Sequence, residues 1–229
     1  MKNGEEMKVR LISYSQPVEG ELYVGENVQE LIAYCARVSN PANQSNTKTS
    51  EKLLSYLATH KHWSPFEMVS ACLEIETTRD IARQILRHRS FSFQEFSQRY
   101  ADPTEDLNFS FKEARMQDKK NRQNSVATKN ADLMLEWLKQ QSEVQLASRN
   151  VYKWAIDNGI AKEQARAVLP EGLMESRIYM NGTIRSWLHY IELRTGIETQ
   201  KEHREVAVEC GKVLSKIFPI MENFIEIQS

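Results

Sequence analysis

Cysteines in a spacing that would staple or metallate a small fold are missing from this chain. Cys35, Cys72 and Cys210 are odd in number and include no CxxC pair, so neither a disulfide framework nor a zinc ribbon is indicated, and a reducing cytosol fits. An excess of charge of one sign is also missing. With 30 Lys and Arg against 31 Asp and Glu, net −1, no global field draws the chain to nucleic acid or to an anionic membrane. No apolar run approaches membrane-spanning length, and the opening MKNGEEMKVRLISYS has no signal-peptide core. The expectation is a soluble, cytoplasmic protein. Glycine-rich phosphate loops of the GxGxxG and GxxxxGK[ST] kinds are absent, as are internal repeats, so any nucleotide bound here is held by side chains. There is no GxSxG elbow and no carboxylate pairing of the glycosidase kind, which leaves a hydrolase unsupported.

What the chain does have is RDIARQILRHRSFSFQEFSQRY over residues 79–100, where five arginines meet a histidine, three serines and Glu95. Arg79, Arg83 and Arg87 recur every fourth residue and predict one basic stripe on a helix, with Ile81, Ala82, Ile85 and Leu86 on an apolar side. After Arg89 the spacing of Phe91, Phe93 and Phe96 suits an extended segment. Hydroxyl, amide and guanidinium donors thus follow a cationic helix end, a donor set that suits phosphate. A solvated patch is the default for an arbitrary basic tripeptide. Here the tripeptide ends a helix with an apolar side, so part of it should be held against the core.

The surrounding pattern predicts an α+β fold. Its 229 residues suit a single domain, 1–229, with one good-sized core and a polar insertion at about 112–130. Val9, Leu11 and Ser13 alternate with Lys8, Arg10 and Ile12 as an opening strand. Val28, Leu31, Ile32 and Cys35 mark a first helix and Leu53, Leu54 and Leu57 a second, with a polar loop at 40–50 between them. Residues 68–77 form the clearest strand, with Val69, Ala71, Leu73 and Ile75 on one face. The stretch 112–130 has the composition of an exposed, mobile segment. Leu133, Trp137, Val144, Val151 and Ala155 fit one long helix over 131–157, stopped by Asn158-Gly159. Helices follow at 162–168 and 183–194, then a last one opened by a Thr199/Glu202 capping box. Strands are expected only in the first hundred residues, as a small, mostly antiparallel or mixed sheet packed on a helix-rich second half.

Five histidines add little. His60 and His62 flank Lys61, but no third ligand lies nearby in sequence, and no metal is expected. His88 sits among arginines that disfavour its protonation. For His189 the plain reading is a half-buried helix histidine with a satisfied hydrogen bond. Glu67, Glu95 and Glu192 are scattered, and none is assigned as a base.

Arg87-His88-Arg89, seven residues, then Ser97-Gln98-Arg99 resembles the RHR-x7-S signature of the flavin-dependent thymidylate synthases. Other segments match in the family's order: Ala36-Arg37-Val38-Ser39, the block His60-x-His62-x-Ser64-Pro65-Phe66-Glu67, Ala82-Arg83-Gln84, Ala165-Arg166 before Val168-Leu169-Pro170, and Leu193-Arg194. The resemblance implies methylation of dUMP to dTMP, with 5,10-methylenetetrahydrofolate as carbon donor, reduced FAD as hydride donor and NADPH to re-reduce the flavin. It also implies a homotetramer with active sites shared between subunits.

Carried over residue by residue, the similarity places Gln84, Arg87, Glu95, Ser97, Gln98, Arg99 and Arg194 around dUMP, with Arg166 reaching the phosphate from a neighbouring subunit. FAD is assigned to Ser39, Ser64, Glu67, Arg87, His88, Arg89, Glu95, Thr183, Arg185 and His189. Arg194 is the catalytic assignment. A fixed cation at the uracil N3–C2=O edge favours loss of the N3 proton and stabilises the enolate-like charge that makes C5 nucleophilic. No attacking cysteine is then required. Met68 and Glu198 stand where histidine is common in the family or found in some members, and Thr183 where some members have asparagine. Two rival readings are a nucleic-acid-binding module stacking bases on Phe91, Phe93 and Phe96, and a flavoprotein oxidoreductase of other specificity.

Overall fold

The alternating 68–77 segment becomes the second strand of a sheet in the structure, a computed structural model that describes residues 9–18 and 25–225. In chain order the elements are β1 (Val9–Tyr14), α1 (Val28–Ala36), α2 (Ser50–Thr59), β2 (Ser70–Thr78), α3 (Arg79–Ile85), β3 (Ser92–Glu95), α4 (Pro103–Asp106), β4 (Arg115–Gln117) and β5 (Ser125–Ala127). There follow α5 (Ala131–Asp157), α6 (Lys162–Ala165), β6 (Glu175–Thr183), α7 (Ile184–Thr195) and α8 (Lys201–Ser215). Short 3-10 turns occupy Pro41–Asn43, Ser64–Glu67, Arg166–Val168 and Pro219–Phe224. The larger sheet has the order β1-β2-β6-β3, and β4 pairs with β5 as a separate antiparallel hairpin. The fold is α+β, as the patterning implied. Among the described residues no helix is long and apolar enough to cross a membrane.

Contacts gather the described chain into two units. The first takes the residues up to Ile75, His88–Phe93 and those from Tyr179 onward. Within it β1 runs antiparallel to β2, pairing Val9 with Ile75 and Leu11 with Leu73, and then shifts register before Ser13 meets Cys72. That bulge turns Ser13 outward, off the face that strict alternation gave it, and Lys8 lies outside the described residues. Val69, Ala71, Leu73 and Ile75 are all buried, as their spacing required. Thr183 caps α7 by accepting from the Ser186 N–H. The helix then buries Ile184, Trp187, Leu188, Ile191 and Thr195, the i, i+3, i+4, i+7 stripe of an amphipathic helix. The buried Trp187 indole donates to the Ala71 carbonyl at 3.0 Å, so its polar edge is satisfied. Helix α8 packs on α7 and buries Val206, Ala207, Cys210 and Leu214.

The second unit comprises Glu76–Arg87 and Gln94–Ile178. Its core is Leu107, Tyr152, Ala155, Ala165, Leu169 and Met174, with Phe96, Phe109 and Ile156 packed against it. Helix α5 has the predicted bounds, but of its five pattern-forming apolar residues only Ala155 is buried. Gln141, Ser148 and Tyr152 complete its inner side, while Leu135, Trp137, Leu146 and Trp154 are 66, 43, 60 and 60% exposed.

Three other expectations are corrected. Strands extend past the first hundred residues, because β6 lies between β2 and β3; its inward positions Ser176, Ile178, Met180 and Gly182 are too mixed to read as a strand pattern. The 112–130 stretch is structured as the β4–β5 hairpin. It begins beside Gln141, whose side-chain amide exchanges two hydrogen bonds with the Lys112 backbone, at 2.8 and 2.9 Å. The capping box does not form: Gln200 is the α8 cap residue, and the Thr199 hydroxyl donates to the Leu193 carbonyl.

Candidate active site

The structure divides the arginines of 79–100 by what they touch. Helix α3 ends at Ile85, so Arg87 lies past its C-terminus and the expected three-arginine helical stripe is not formed. Arg79 is only 5% exposed, and its guanidinium reaches Glu95 at 3.4 Å and Glu171 at 3.3 Å. Arg83 reaches the same two carboxylates, at 3.2 and 3.5 Å. The Ser176 hydroxyl adds a third hydrogen bond to Glu95, at 2.9 Å. A buried cation needs this compensation, since an unpaired one carries a desolvation cost of several kcal/mol. Arg79 is therefore an internal strut, Arg83 pairs with the same carboxylates from an exposed position, and Glu95 is the group that fixes both. By contrast Arg87 and Arg89 are exposed, with no ion pair or side-chain hydrogen bond among the described residues.

The other residues directed to dUMP lie mainly in the same second unit. Gln84 is half-buried on α3, and Ser97 opens the turn at 97–100. Gln98 is 5% exposed, and its Nε2 has no hydrogen-bond partner among the described residues. A buried amide N–H left without an acceptor is costly, and a ligand carbonyl or phosphate would satisfy it. Arg99 lies 3.5 Å from the Glu163 carboxylate, and Arg166 donates from Nε to the Glu163 carbonyl at 3.3 Å. Both arginines thus converge on α6.

The first unit holds Arg194 and the flavin-directed residues other than Arg87 and Glu95. Ser39 and Ser64 are exposed, on the segment after α1 and at the head of the Ser64–Glu67 turn. Glu67 of that turn accepts from Arg185 of α7, whose Nε is buried without a partner among the described residues. Met68, next to it, is 56% exposed. His189 packs edge-on against Trp63, ring centroids 4.7 Å apart, and makes no hydrogen bond among the described residues, contrary to expectation. Burial, with the Arg185 cation nearby, pushes its pKa down.

At the end of α7 the Arg194 Nε donates to His88 Nε2 at 3.0 Å. His88 must be neutral to accept, with its proton on Nδ1. Burial, then the Arg194 charge, pushes its pKa down to about 4. The direction is the expected one, but burial and Arg194 cause it rather than the flanking arginines. His60 stacks on Tyr56 at 3.9 Å, and the described residues hold no group of three or more His, Cys, Asp or Glu placed to hold a metal.

Tyr190, a core residue by its sequence setting, and His203 lie behind His88, and neither is among the expected site residues. His203 Nε2 and the Tyr190 hydroxyl are 3.2 Å apart, and both side chains are buried. A signal for His203 existed: it precedes Val206, Ala207 and Cys210 by three, four and seven residues, on the buried side of α8.

The chain matches the thymidylate synthase complementing protein family over residues 22–220. It is 50% identical over 213 residues to a probable flavin-dependent thymidylate synthase of Paramecium bursaria Chlorella virus 1, covering 93% of this chain and 96% of that one. It is 48% identical over 224 residues to a flavin-dependent thymidylate synthase of Synechocystis sp. strain PCC 6803, covering 96% and 100%. Its fold is similar to a crystal structure of a UMP/dUMP methylase, PolB, from Streptomyces cacaoi bound with 5-Br dUMP: TM-score 0.78 at 23% identity, covering 96% of this chain and 95% of that one.

Proposed function

The chain belongs to the thymidylate synthase complementing protein family, that of the flavin-dependent thymidylate synthases, and from that premise we propose that it methylates dUMP to dTMP. When bound, reduced FAD supplies the hydride that completes the methyl group from 5,10-methylenetetrahydrofolate, and NADPH restores the flavin. The observation that carries the reading is the Arg194–His88 bond. A guanidinium held by a carboxylate is neutralised by it; one held by a neutral imidazole keeps its whole charge for a ligand. Placed at the uracil N3–C2=O edge, Arg194 lowers the cost of N3 deprotonation and of negative charge at C5.

Gln84, Arg87, Ser97, Gln98, Arg99 and Arg166 hold dUMP. Gln98 Nε2 and Arg87, both without a partner among the described residues, support the fit of an anionic, carbonyl-bearing ligand. Glu95, engaged by two arginines and a serine, serves as a fixed anchor for that region. Ser39, Ser64, Glu67, His88, Arg89, Thr183, Arg185 and His189 hold FAD, with Arg87 shared. The buried Arg185 Nε and the exposed Arg89, both without a partner among the described residues, are cationic donors suited to a diphosphate.

We also propose that residues 1–229 act as one enzyme domain in the cytoplasm, as a homotetramer in which Arg166 serves a neighbouring copy's substrate. The exposed apolar side chains of α5 support the assembly, because single chains rarely leave such a surface to water. A base-stacking module is disfavoured by the internal pairing of Arg79 and Arg83. The test is to purify the protein, look for bound flavin, and follow dUMP-dependent NADPH oxidation with methylenetetrahydrofolate. A colourless protein that takes up no FAD and makes no dTMP sinks the proposal.

A further inference from the structure

Behind the Arg194–His88 bond lies a buried polar pair to which the uracil reading gives no role. Tyr190 of α7 is 1% exposed and His203 of α8 is 0% exposed, yet the tyrosine hydroxyl and His203 Nε2 stand 3.2 Å apart. The Tyr190 ring meets the His88 ring edge-on, centroids 4.9 Å apart with the planes at 85°. The His203 ring stands 6.3 Å from His88 at 83°. On its other sides Tyr190 is closed in by Trp187 and Phe91, at 5.9 and 6.0 Å. Packing alone would be served as well by a phenylalanine and a leucine, and an apolar pair would avoid burying a hydroxyl and an imidazole.

We infer that Tyr190 and His203 are positioning residues for dTMP formation: their hydrogen bond fixes the wall against which the His88 ring is set, and His88 fixes the Arg194 guanidinium. The inference rests on the assignment of Arg194 to the uracil ring. A guanidinium anchored only through Nε keeps one orientation only while its acceptor is stationary, and a small misplacement of a charge-stabilising group lowers the rate without abolishing substrate binding. His88 has no hydrogen bond to α8 of its own among the described residues, so the ring of Tyr190 is what transmits the restraint. Burial and the Arg194 charge hold both imidazoles neutral, His88 down to about 4 and His203 to about 3, which leaves Arg194 as the cation of the cluster.

The experiment compares the unaltered holoenzyme with Tyr190→Phe and with Tyr190→Phe/His203→Leu, which removes both members of the pair together. Turnover, KM for dUMP, flavin content and thermal midpoint are measured for each. Expected is a fall in kcat of about fivefold, equivalent to about 1 kcal/mol, with KM within about twofold, FAD retained and each variant folded at the assay temperature. In an Arg194→Ala background Tyr190→Phe should lower kcat no further, because it acts through that arginine. Wild-type kcat in the folded, FAD-loaded double variant overturns the inference, as does an undiminished fivefold fall in the Arg194→Ala background. If the double variant does not fold, Tyr190→Phe alone decides in the same way. An unaltered protein that makes no dTMP overturns the uracil reading and this inference with it, whereas normal turnover in all tyrosine and histidine variants overturns the inference alone.

Discussion

Glu95 binds Arg79 at 3.4 Å and so turns one arginine of a motif that reads as ligand-binding into part of the protein's own framework. Arg79 keeps only Glu171 if Glu95 is lost, and that carboxylate is half-exposed. Glu95→Gln should therefore destabilise the protein by about 2–3 kcal/mol, below the full cost of an orphaned buried charge because one partner remains. Urea denaturation measures it; an unchanged midpoint refutes the strut role.

Arg194→Ala should leave the fold and bound FAD in place while lowering dTMP formation by about 10²–10³-fold, the usual effect of losing one charge-stabilising group at the reacting centre. Single-turnover rates with saturating dUMP check this. Near-normal turnover would remove Arg194 from the chemistry.

Arg99→Ala should act differently. A phosphate contact is made equally in the ground and transition states, so KM for dUMP should rise with kcat nearly unchanged. A kcat loss as large as that of Arg194→Ala would contradict the assignment.

Acid should weaken the fold through His88 and His203, one half-buried and one buried. Both have folded pKa values below the ordinary 6.5, His88 at about 4 and His203 at about 3. Between 6.5 and those values the unfolded chain binds protons that the native state does not, so stability is complete above 6.5 and falls as pH drops toward 4. Urea midpoints measured from about pH 7.5 to about pH 5 should show the decline. The slope should be shallower by up to one proton in His203→Leu, and equal slopes in the two proteins refute the origin proposed here.

Gly182→Ala tests the close approach of β6 to the aromatic segment after the RHR tripeptide. A Cβ at 182 would stand 2.4 Å from Phe91 Cδ1, so the ring must move. Overpacking of this kind costs about 1–3 kcal/mol. A thermal midpoint at the wild-type value would show that Phe91 yields freely.

Much of the fold was legible because local rules dominate it. The bounds of α5 follow from a polar entry at Asn130, whose side chain accepts from Leu133 N–H, and a stop at Asn158-Gly159. Strand β2 follows from strict alternation. Strand β6 did not announce itself, since its inward face includes a serine and a glycine and its strand character comes from neighbours distant in sequence. The exposed apolar residues of α5 escaped for a related reason: periodicity tells which residues share a helix face, not whether this chain covers that face.

In the candidate site, sequence by itself determined the signature, the family and the residue types near Arg87 and Arg194, because those depend on identity and spacing along the chain. Only the tertiary structure decided which arginines are available. Arg79 and Arg83 are alike in sequence to Arg87, but carboxylates at positions 95 and 171 fold back on them, and no spacing rule foresees an ion pair across 92 residues. The Arg194–His88 bond spans 106 residues, and the Tyr190–His203 pair joins two helices. Pattern fixes what a segment is. Burial and long-range pairing decide what each charge in it can still do.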